Sequence, residues 1–211
     1  MTGAVVGIDL DNTIATYDAL FHELATERGM IAAGVPASKR HVRDAVRQQG
    51  EGDIDWQRLQ ALAYGTRMSC AAVADGVVPF LARCQQQAIP VFVISHRTEY
   101  SPMDPERVPL REAALAWMRA QRLVGPAGLG VREDAVFFGG SRAEKIAQVT
   151  RAGCTHFIDD LEEVLLEPAF PPGVVKILYA PEATPALTVH DGVHVAAHWN
   201  DVHEVVFGDR P

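Results

Sequence analysis

The fold is decided by one stretch near the start of the chain, Ala4-Val5-Val6-Gly7-Ile8-Asp9-Leu10-Asp11-Asn12-Thr13. Its first half is a short apolar run rich in β-branched residues, which is typical of a strand buried on both faces of a parallel sheet. Asp9 and Asp11 close the run, and the residues after them suit a turn. Ligands of an open α/β sheet bind beyond the carboxyl ends of its strands. The stretch therefore predicts a parallel sheet and a polar site at its edge.

The next part of the chain has a helical pattern. Its apolar positions recur at helical spacing, and Gly29 and Gly50 are suited to end helices. We predict helices over 17–29, 38–49 and 54–63, with no further strand for about 80 residues. We therefore predict a helical cap at 16–75, inserted after the first strand of an α/β catalytic core made of 1–15 and 76–211.

In the rest of the chain, strand and helix patterns alternate. The predicted strands cover 89–94, 135–138, 155–158, 174–179 and 193–197, and the predicted helices cover 77–87, 110–123, 141–152 and a segment from 200. Pro102 and Pro105 within 99–108, with Pro109 directly after it, predict an irregular loop there. This alternation is typical of a doubly wound, Rossmann-like parallel sheet with right-handed crossovers.

Length, charge and cysteine content narrow the class of protein. A chain of 211 residues suits one domain or a core with a small appendage. Its net charge of −8 argues against binding a nucleic-acid polymer, which favours a basic face. An apolar run long enough to span a membrane and an N-terminal leader pattern are both lacking. Three widely spaced cysteines without a CxxC motif fit reduced thiols in the cytoplasm.

The two aspartates of the opening stretch could perform acid–base and nucleophilic chemistry. One ionised carboxylate can attack phosphorus and bind a divalent cation, while its neighbour donates a proton to the leaving oxygen. Asp9 and Asp11 have the spacing for this division of roles. The alternative is a polar strand end followed by ordinary turn residues.

Three further groups of polar residues fall at strand ends or near a helix start. Ser95 and His96 end the second core strand, where a hydroxyl and backbone N–H groups can hold a phosphate oxygen. Lys145 lies in the first turns of a helix and could neutralise a dianion. Asp159 and Asp160 follow a later strand and suit a hard cation such as Mg²⁺. A turn serine, a surface lysine and a helix N-cap are the structural alternatives, although capping and metal binding can coexist.

Together these residues resemble the haloacid dehalogenase superfamily, whose members are mostly Mg²⁺-dependent phosphatases. The resemblance covers essentially the whole chain, and the predicted insertion looks like that family's helical cap of the first type. Four family motifs have matches here in the family's order: D-x-D-x-T at Asp9, Asp11 and Thr13, Ser/Thr at Ser95, Lys at Lys145, and the acidic pair at Asp159-Asp160.

The resemblance implies a role for each matching residue. Asp9 would be the nucleophile that forms an aspartyl-phosphate, and Asp11 would protonate the leaving group and later activate water. The implied phosphate-binding residues are Thr13, Ser95, His96 and Lys145. The implied ligands of Mg²⁺ are the Asp9 carboxylate, the Asp11 backbone carbonyl and Asp160, with Asp159 as a further candidate.

The same residues separate the chemistries of the superfamily. Its dehalogenases and phosphonatases lack the second aspartate of the first motif, so Asp11 argues against both. Phosphonatases also use a cap lysine, and Lys39 is the only lysine in this predicted cap. We therefore expect an aspartyl-phosphate phosphohydrolase. A phosphomutase, or an idle module that binds phosphate or docks a partner, is the alternative.

A closing cap would exclude water and restrict substrates to small phosphorylated metabolites. The sequence does not identify the metabolite. A cap face can also serve as the surface of a homodimer. The candidates for contacting the leaving group are Tyr17, His22, Arg28, Tyr64 and Arg67 in the predicted cap, and Arg97 in the core.

Overall fold

The computed structural model describes residues 3–181 and 192–208. Strands and helices alternate through most of these ranges, apart from the helical stretch after the first strand. In chain order they are β1 (Val6–Ile8), β2 (Ala15–Thr16), α1 (Asp18–Glu27), α2 (Lys39–Arg47), α3 (Asp53–Tyr64), β3 (Ala72–Val73), α4 (Val77–Gln86), β4 (Val91–His96), α5 (Leu110–Ala120), β5 (Val136–Gly139), α6 (Arg142–Arg151), β6 (His156–Asp159), α7 (Glu162–Leu165), β7 (Val175–Tyr179), β8 (Val193–Ala196) and α8 (Trp199–Phe207).

Six strands form one parallel sheet in the order β5-β4-β1-β6-β7-β8. The central strand β1 is fully buried, as its continuous apolar sequence predicts. In its register, Ile8 lies opposite Val93 of β4 and Ile158 of β6. Residues that follow these three strands therefore emerge at one edge of the sheet. This topology confirms the predicted doubly wound α/β fold.

A close approach between β1 and β6 explains the glycine in the central strand. A Cβ atom added at Gly7 would lie 2.6 Å from the Phe157 ring and 2.8 Å from the Cys154 sulfur. Phe157 is fully buried on the neighbouring strand. The ring therefore occupies the space that any larger residue at position 7 would need.

The described residues divide into two compact units. One comprises Ala15–Ala72 and Thr98–Met118, and the other, which we call the sheet unit, contains the parallel sheet. The sequence places 98–118 with the core, whereas in the structure this segment packs with the helical insertion. One hydrogen bond between the two segments contributes to this difference, because the buried Trp117 indole donates to the Ala71 carbonyl at 2.9 Å.

Aromatic side chains form much of the core of the helical unit. The rings of Phe21 and Trp56 are 4.6 Å apart, and Tyr17 meets Tyr64 edge-on at 5.0 Å. Edge-on and offset ring pairs of this kind stabilise a core beyond their buried area. They join α1 to α3, which accounts for a small helical unit with its own core.

Strands β2 and β3 pair with each other outside the main sheet. The sequence predicts no strand at either place, because two residues are too few to form an alternating pattern. None of the helices within the described ranges has the length and apolarity needed to cross a membrane.

Candidate active site

Asp9 follows directly after β1 and is fixed by the sheet. Its amide donates to the Ile158 carbonyl at 2.8 Å, so the backbone keeps the strand register at this point. The chain then turns at Asn12, whose φ of 59° lies in the left-handed region that asparagine tolerates. Beyond the turn Thr13 is fully buried, and its hydroxyl has no hydrogen-bond partner among the described residues. A buried hydroxyl of this kind is available to a ligand oxygen.

Lys145 lies between two aspartates. It is in the first turn of α6, a helix whose N-terminus is capped by the Ser141 hydroxyl, which accepts from the Glu144 amide at 3.2 Å. Its ammonium group is 2.6 Å from the Asp9 carboxylate and 2.5 Å from that of Asp159. The lysine side chain is only 2% exposed, so it is not a solvated surface residue.

The electrostatics of this cluster favour a charged lysine. Burial alone would lower the pKa of Lys145, but the nearby charges of Asp9 and Asp159 outweigh burial, and the pKa is raised. Burial also raises the pKa of Asp159 to about 8, with the Asp9 charge adding to the effect. Because Lys145 stays charged, Asp159 is the group that would hold a proton at neutral pH without a further cation.

Three acidic side chains could bind a metal ion together. Ligand oxygens of Asp9, Asp159 and Asp160 lie within 4.8 Å of one another. Asp160 accepts from the Asn12 side-chain amide at 2.9 Å, and Asp159 accepts from the Leu161 amide at 3.0 Å. All the donors in this set are hard oxygens, which Mg²⁺ prefers. Burial of the carboxylates and the raised pKa of Asp159 both indicate a deficit of positive charge that a divalent cation would offset, so the residues fit Mg²⁺.

The end of β4 contributes three successive polar residues. Ser95 is 1% exposed and lies opposite Phe138 of β5. The His96 ring nitrogen Nε2 is 3.2 Å from the Gly140 carbonyl oxygen, and this histidine is exposed. The Arg97 guanidinium is buried and pairs with the Asp11 carboxylate at 2.5 Å. The strand therefore brings both a hydroxyl and a cation to the same edge as Asp9.

The five predicted substrate residues of the cap lie in the helical unit, and the structure gives each of them a partner there. Their polar partners include Met68 for Tyr17, the Val35 carbonyl for His22, the Leu24 carbonyl for Arg28, Lys39 for Tyr64, and Glu23 with Glu27 for Arg67. Their predicted contact with a substrate remains a prediction. Arg97, the sixth candidate, instead joins the aspartates of the sheet unit.

Sequence reasoning missed two features of the site. The first is Asn12, which shapes the turn and holds Asp160. Its position between Asp11 and Thr13 was a usable signal, since asparagine is a common residue in left-handed turns. The second is the pairing of Arg97 with Asp11, for which the sequence contains no signal beyond the arginine itself.

Comparison with known proteins gives matches at the level of structure. No protein-family model matches the chain, and a search of the curated proteins found no match. A haloacid dehalogenase-type hydrolase of family IA from Entamoeba histolytica has a TM-score of 0.59 at 13% identity, covering 96% of this chain and 97% of its own.

Two further solved structures are similar over nearly their whole length. The haloacid dehalogenase-type hydrolase YfnB from Bacillus subtilis, whose structure contains magnesium, has a TM-score of 0.55 at 10% identity, covering 98% of this chain and 100% of its own. An L-2-haloacid dehalogenase has a TM-score of 0.54 at 16% identity, covering 98% and 99%. At such identities the likeness concerns the fold. The resemblance in the sequence is confirmed at that level: this chain has the fold of the haloacid dehalogenase superfamily.

Proposed function

We propose that this protein is a Mg²⁺-dependent phosphohydrolase that acts on a small phosphorylated metabolite through an aspartyl-phosphate on Asp9. The observation that carries the proposal is the buried contact of Asp9 with Lys145, with Asp11 two residues away and separately paired. Two aspartates in different environments suit two different roles. Three free cysteines are consistent with a cytoplasmic location.

The balance of charge supports a divalent cation in the site. Four carboxylates, Asp9, Asp11, Asp159 and Asp160, lie near two cationic side chains. When all are ionised, two negative charges remain, and a phosphate dianion would add to them. Mg²⁺ held by Asp9, Asp160 and the Asp11 backbone carbonyl would supply the charge that lets a phosphate approach.

The first step transfers the phosphoryl group to the protein. Lys145 holds one oxygen of Asp9 by a 2.6 Å contact and so orients the other oxygen for attack on phosphorus. The bond from Asp9 to phosphorus forms as the bond to the leaving oxygen breaks. Asp11 gives its proton to that oxygen, and the leaving group departs as an alcohol.

The second step releases phosphate. Asp11, now ionised, takes a proton from a water molecule that attacks the phosphorus of the intermediate. The bond between phosphorus and Asp9 breaks, and the carboxylate is restored. The buried Thr13 and Ser95 hydroxyls lie at the same sheet edge and can donate to phosphoryl oxygens in both steps.

The experiment is a phosphate-release assay on a panel of small phosphomonoesters, with Mg²⁺ or with EDTA. It compares the wild type with Asp9→Asn, which removes the nucleophile at almost constant volume. Asp134→Asn is the matched control, since Asp134 is an exposed aspartate of the same unit whose partner is Arg132. Circular dichroism checks that all three proteins are folded.

We expect release that needs Mg²⁺, is lost in Asp9→Asn and is unchanged in Asp134→Asn. Full activity in Asp9→Asn contradicts the mechanism, and full activity in EDTA contradicts the metal requirement. Isomerised product without free phosphate indicates a mutase. Halide release from a 2-haloacid would indicate the reaction named for one of the similar structures.

A further inference from the structure

An ion pair at the edge of the sheet has no part in the steps described so far. The Arg97 guanidinium is 2.5 Å from the Asp11 carboxylate. The arginine side chain is 3% exposed, whereas the aspartate side chain is 21% exposed. A surface pair would contribute little, but a buried guanidinium is held in one place by its surroundings. The pair therefore joins a fixed cation to a carboxylate that remains open to a ligand.

The two partners differ in how firmly their backbones are held. Arg97 directly follows β4, and its amide donates to the Gly139 carbonyl of β5 at 2.9 Å. The sheet therefore fixes the position of the Arg97 backbone. Asp11 lies beyond the end of β1, at a single β-bridge position just before the turn that Asn12 begins with a positive φ. Side chains outside the strands are held less precisely than those on strands. The arginine thus supplies a restraint that the turn alone does not provide.

We propose that Arg97 is a positioning residue, which aims the Asp11 carboxyl group at the leaving oxygen of the substrate. This inference rests on the proposed function, in which Asp11 transfers the proton. The site then has two separate cationic supports, because Lys145 pairs with Asp9 and Asp159 while Arg97 pairs with Asp11.

If Arg97 positions Asp11, the effect of replacing Arg97 should depend on the leaving group of the substrate. Departure of an alkoxide needs a proton as the bond to phosphorus breaks, whereas a nitrophenolate departs readily without one. A misplaced Asp11 should therefore slow phosphoryl transfer from an alkyl ester and hardly affect a nitrophenyl ester. A general loss of structure would slow both esters alike.

The test measures kcat/KM for glycerol phosphate and for p-nitrophenyl phosphate with Mg²⁺ present. The variants are Arg97→Gln, which removes the charge, and Arg97→Lys, which keeps it without the planar fork. Arg132→Gln is the matched control, because Arg132 is an exposed arginine of the same unit. Thermal unfolding shows whether each variant is folded. If Arg97→Gln does not fold, Arg97→Lys is used for the test instead.

We expect Arg97→Gln to lower kcat/KM for glycerol phosphate by about 10- to 100-fold, the usual cost of losing orientation in an active site. The same variant should change kcat/KM for p-nitrophenyl phosphate by less than about 5-fold, and Arg97→Lys should fall between the wild type and Arg97→Gln. A second readout is the double variant. If Arg97 acts through Asp11, then Arg97→Gln should add little to the loss already caused by Asp11→Asn.

Several results would overturn this role for Arg97. One is an equal loss on both esters, and another is a raised KM with an unchanged kcat, which would mean that Arg97 binds substrate directly. Full additivity with Asp11→Asn would also contradict action through Asp11. In each case the wild type still releases phosphate, so the proposed function stands. A wild type that hydrolyses no ester of the phosphomonoester panel overturns both proposals.

Discussion

Replacing Lys145 with methionine removes the positive charge between Asp9 and Asp159 while keeping much of the side-chain volume. Coulomb's law at an effective dielectric constant of about 20 assigns about 6 kcal/mol of attraction to each contact near 2.5 Å. The cost of burying the ammonium group offsets much of this attraction, and the methionine variant does not carry that cost. If both carboxylates stayed ionised within 4.8 Å of each other, the same law would give a repulsion of about 3 kcal/mol, so we expect Asp159 of the variant to hold a proton instead.

We therefore expect Lys145→Met to lower the free energy of unfolding at pH 8 by about 3–5 kcal/mol, the usual cost of breaking a buried ion pair. For a chain of this size, that loss corresponds to a fall in Tm of about 6–20 °C. The measurement is urea unfolding followed by circular dichroism, in EDTA so that no divalent cation replaces the lysine. Lys176→Met is the matched control, and we expect it to cost less than about 1 kcal/mol, because Lys176 is half-buried and lies over the Phe170 ring.

The stability of both proteins should depend on pH in a defined direction. Burial and the charge of Asp9 raise the pKa of Asp159 from 3.8 to about 8, so across that window the folded chain holds a proton that the unfolded chain releases. Its contribution to stability is present below the unfolded pKa and is lost as pH rises through the folded pKa. Without the lysine charge the folded pKa rises further. The wild type and the methionine variant should therefore both gain stability as pH falls from 8 to about 5, and the difference between them should change little over that interval. A loss at pH 8 no larger than that of Lys176→Met would refute this account of the buried cluster.

Three other predictions concern packing, thiol reactivity and metal binding. Gly7→Ala should lower the free energy of unfolding by about 1–3 kcal/mol in urea titrations, because its new methyl group overlaps the Phe157 ring; an unchanged midpoint would mean that the strands separate at little cost. In a thiol-reagent titration of the folded protein, exposed Cys70 should react first, since burial raises the pKa of Cys84 and Cys154 to about 12; rapid reaction of all three would contradict their burial. Mg²⁺ at 100 times its Kd should raise the stability of the wild type by about 2.7 kcal/mol, and no rise in Tm at saturating Mg²⁺ would argue against a folded-state metal site.

Most functional residues of the site could be predicted from the sequence, because each lies beside a recognisable strand end or helix start. Asp9 closes a buried β-branched run, and Ser95 does the same for a second run. The Ser141 N-cap, whose hydroxyl accepts from the Glu144 amide, marks the start of the helix of Lys145. Strand ends and helix starts depend on a few neighbouring residues, and the topology of a parallel sheet then brings them to one edge.

Features that depend on distant residues could not be predicted in this way. The Arg97–Asp11 pair requires the turn at Asn12 and the register between β4 and β1, neither of which periodicity reveals. The association of 98–118 with the helical insertion depends on single long-range contacts such as the Trp117 indole to Ala71. Side-chain direction in a loop is decided by such contacts rather than by propensity.

The central place of β1 in the sheet has a consequence for how the protein is made. One of its two partner strands, β6, comes late in the chain: just before β1 the Val5 amide bonds to the Thr155 hydroxyl, 150 residues further on. A ribosome that adds about 5–20 residues per second needs about 8–30 s to cover that interval. Throughout that time the apolar β1 segment is displayed on the nascent chain without one of its two flanking strands. During synthesis β1 is therefore an apolar segment whose aggregation a chaperone would prevent by shielding it.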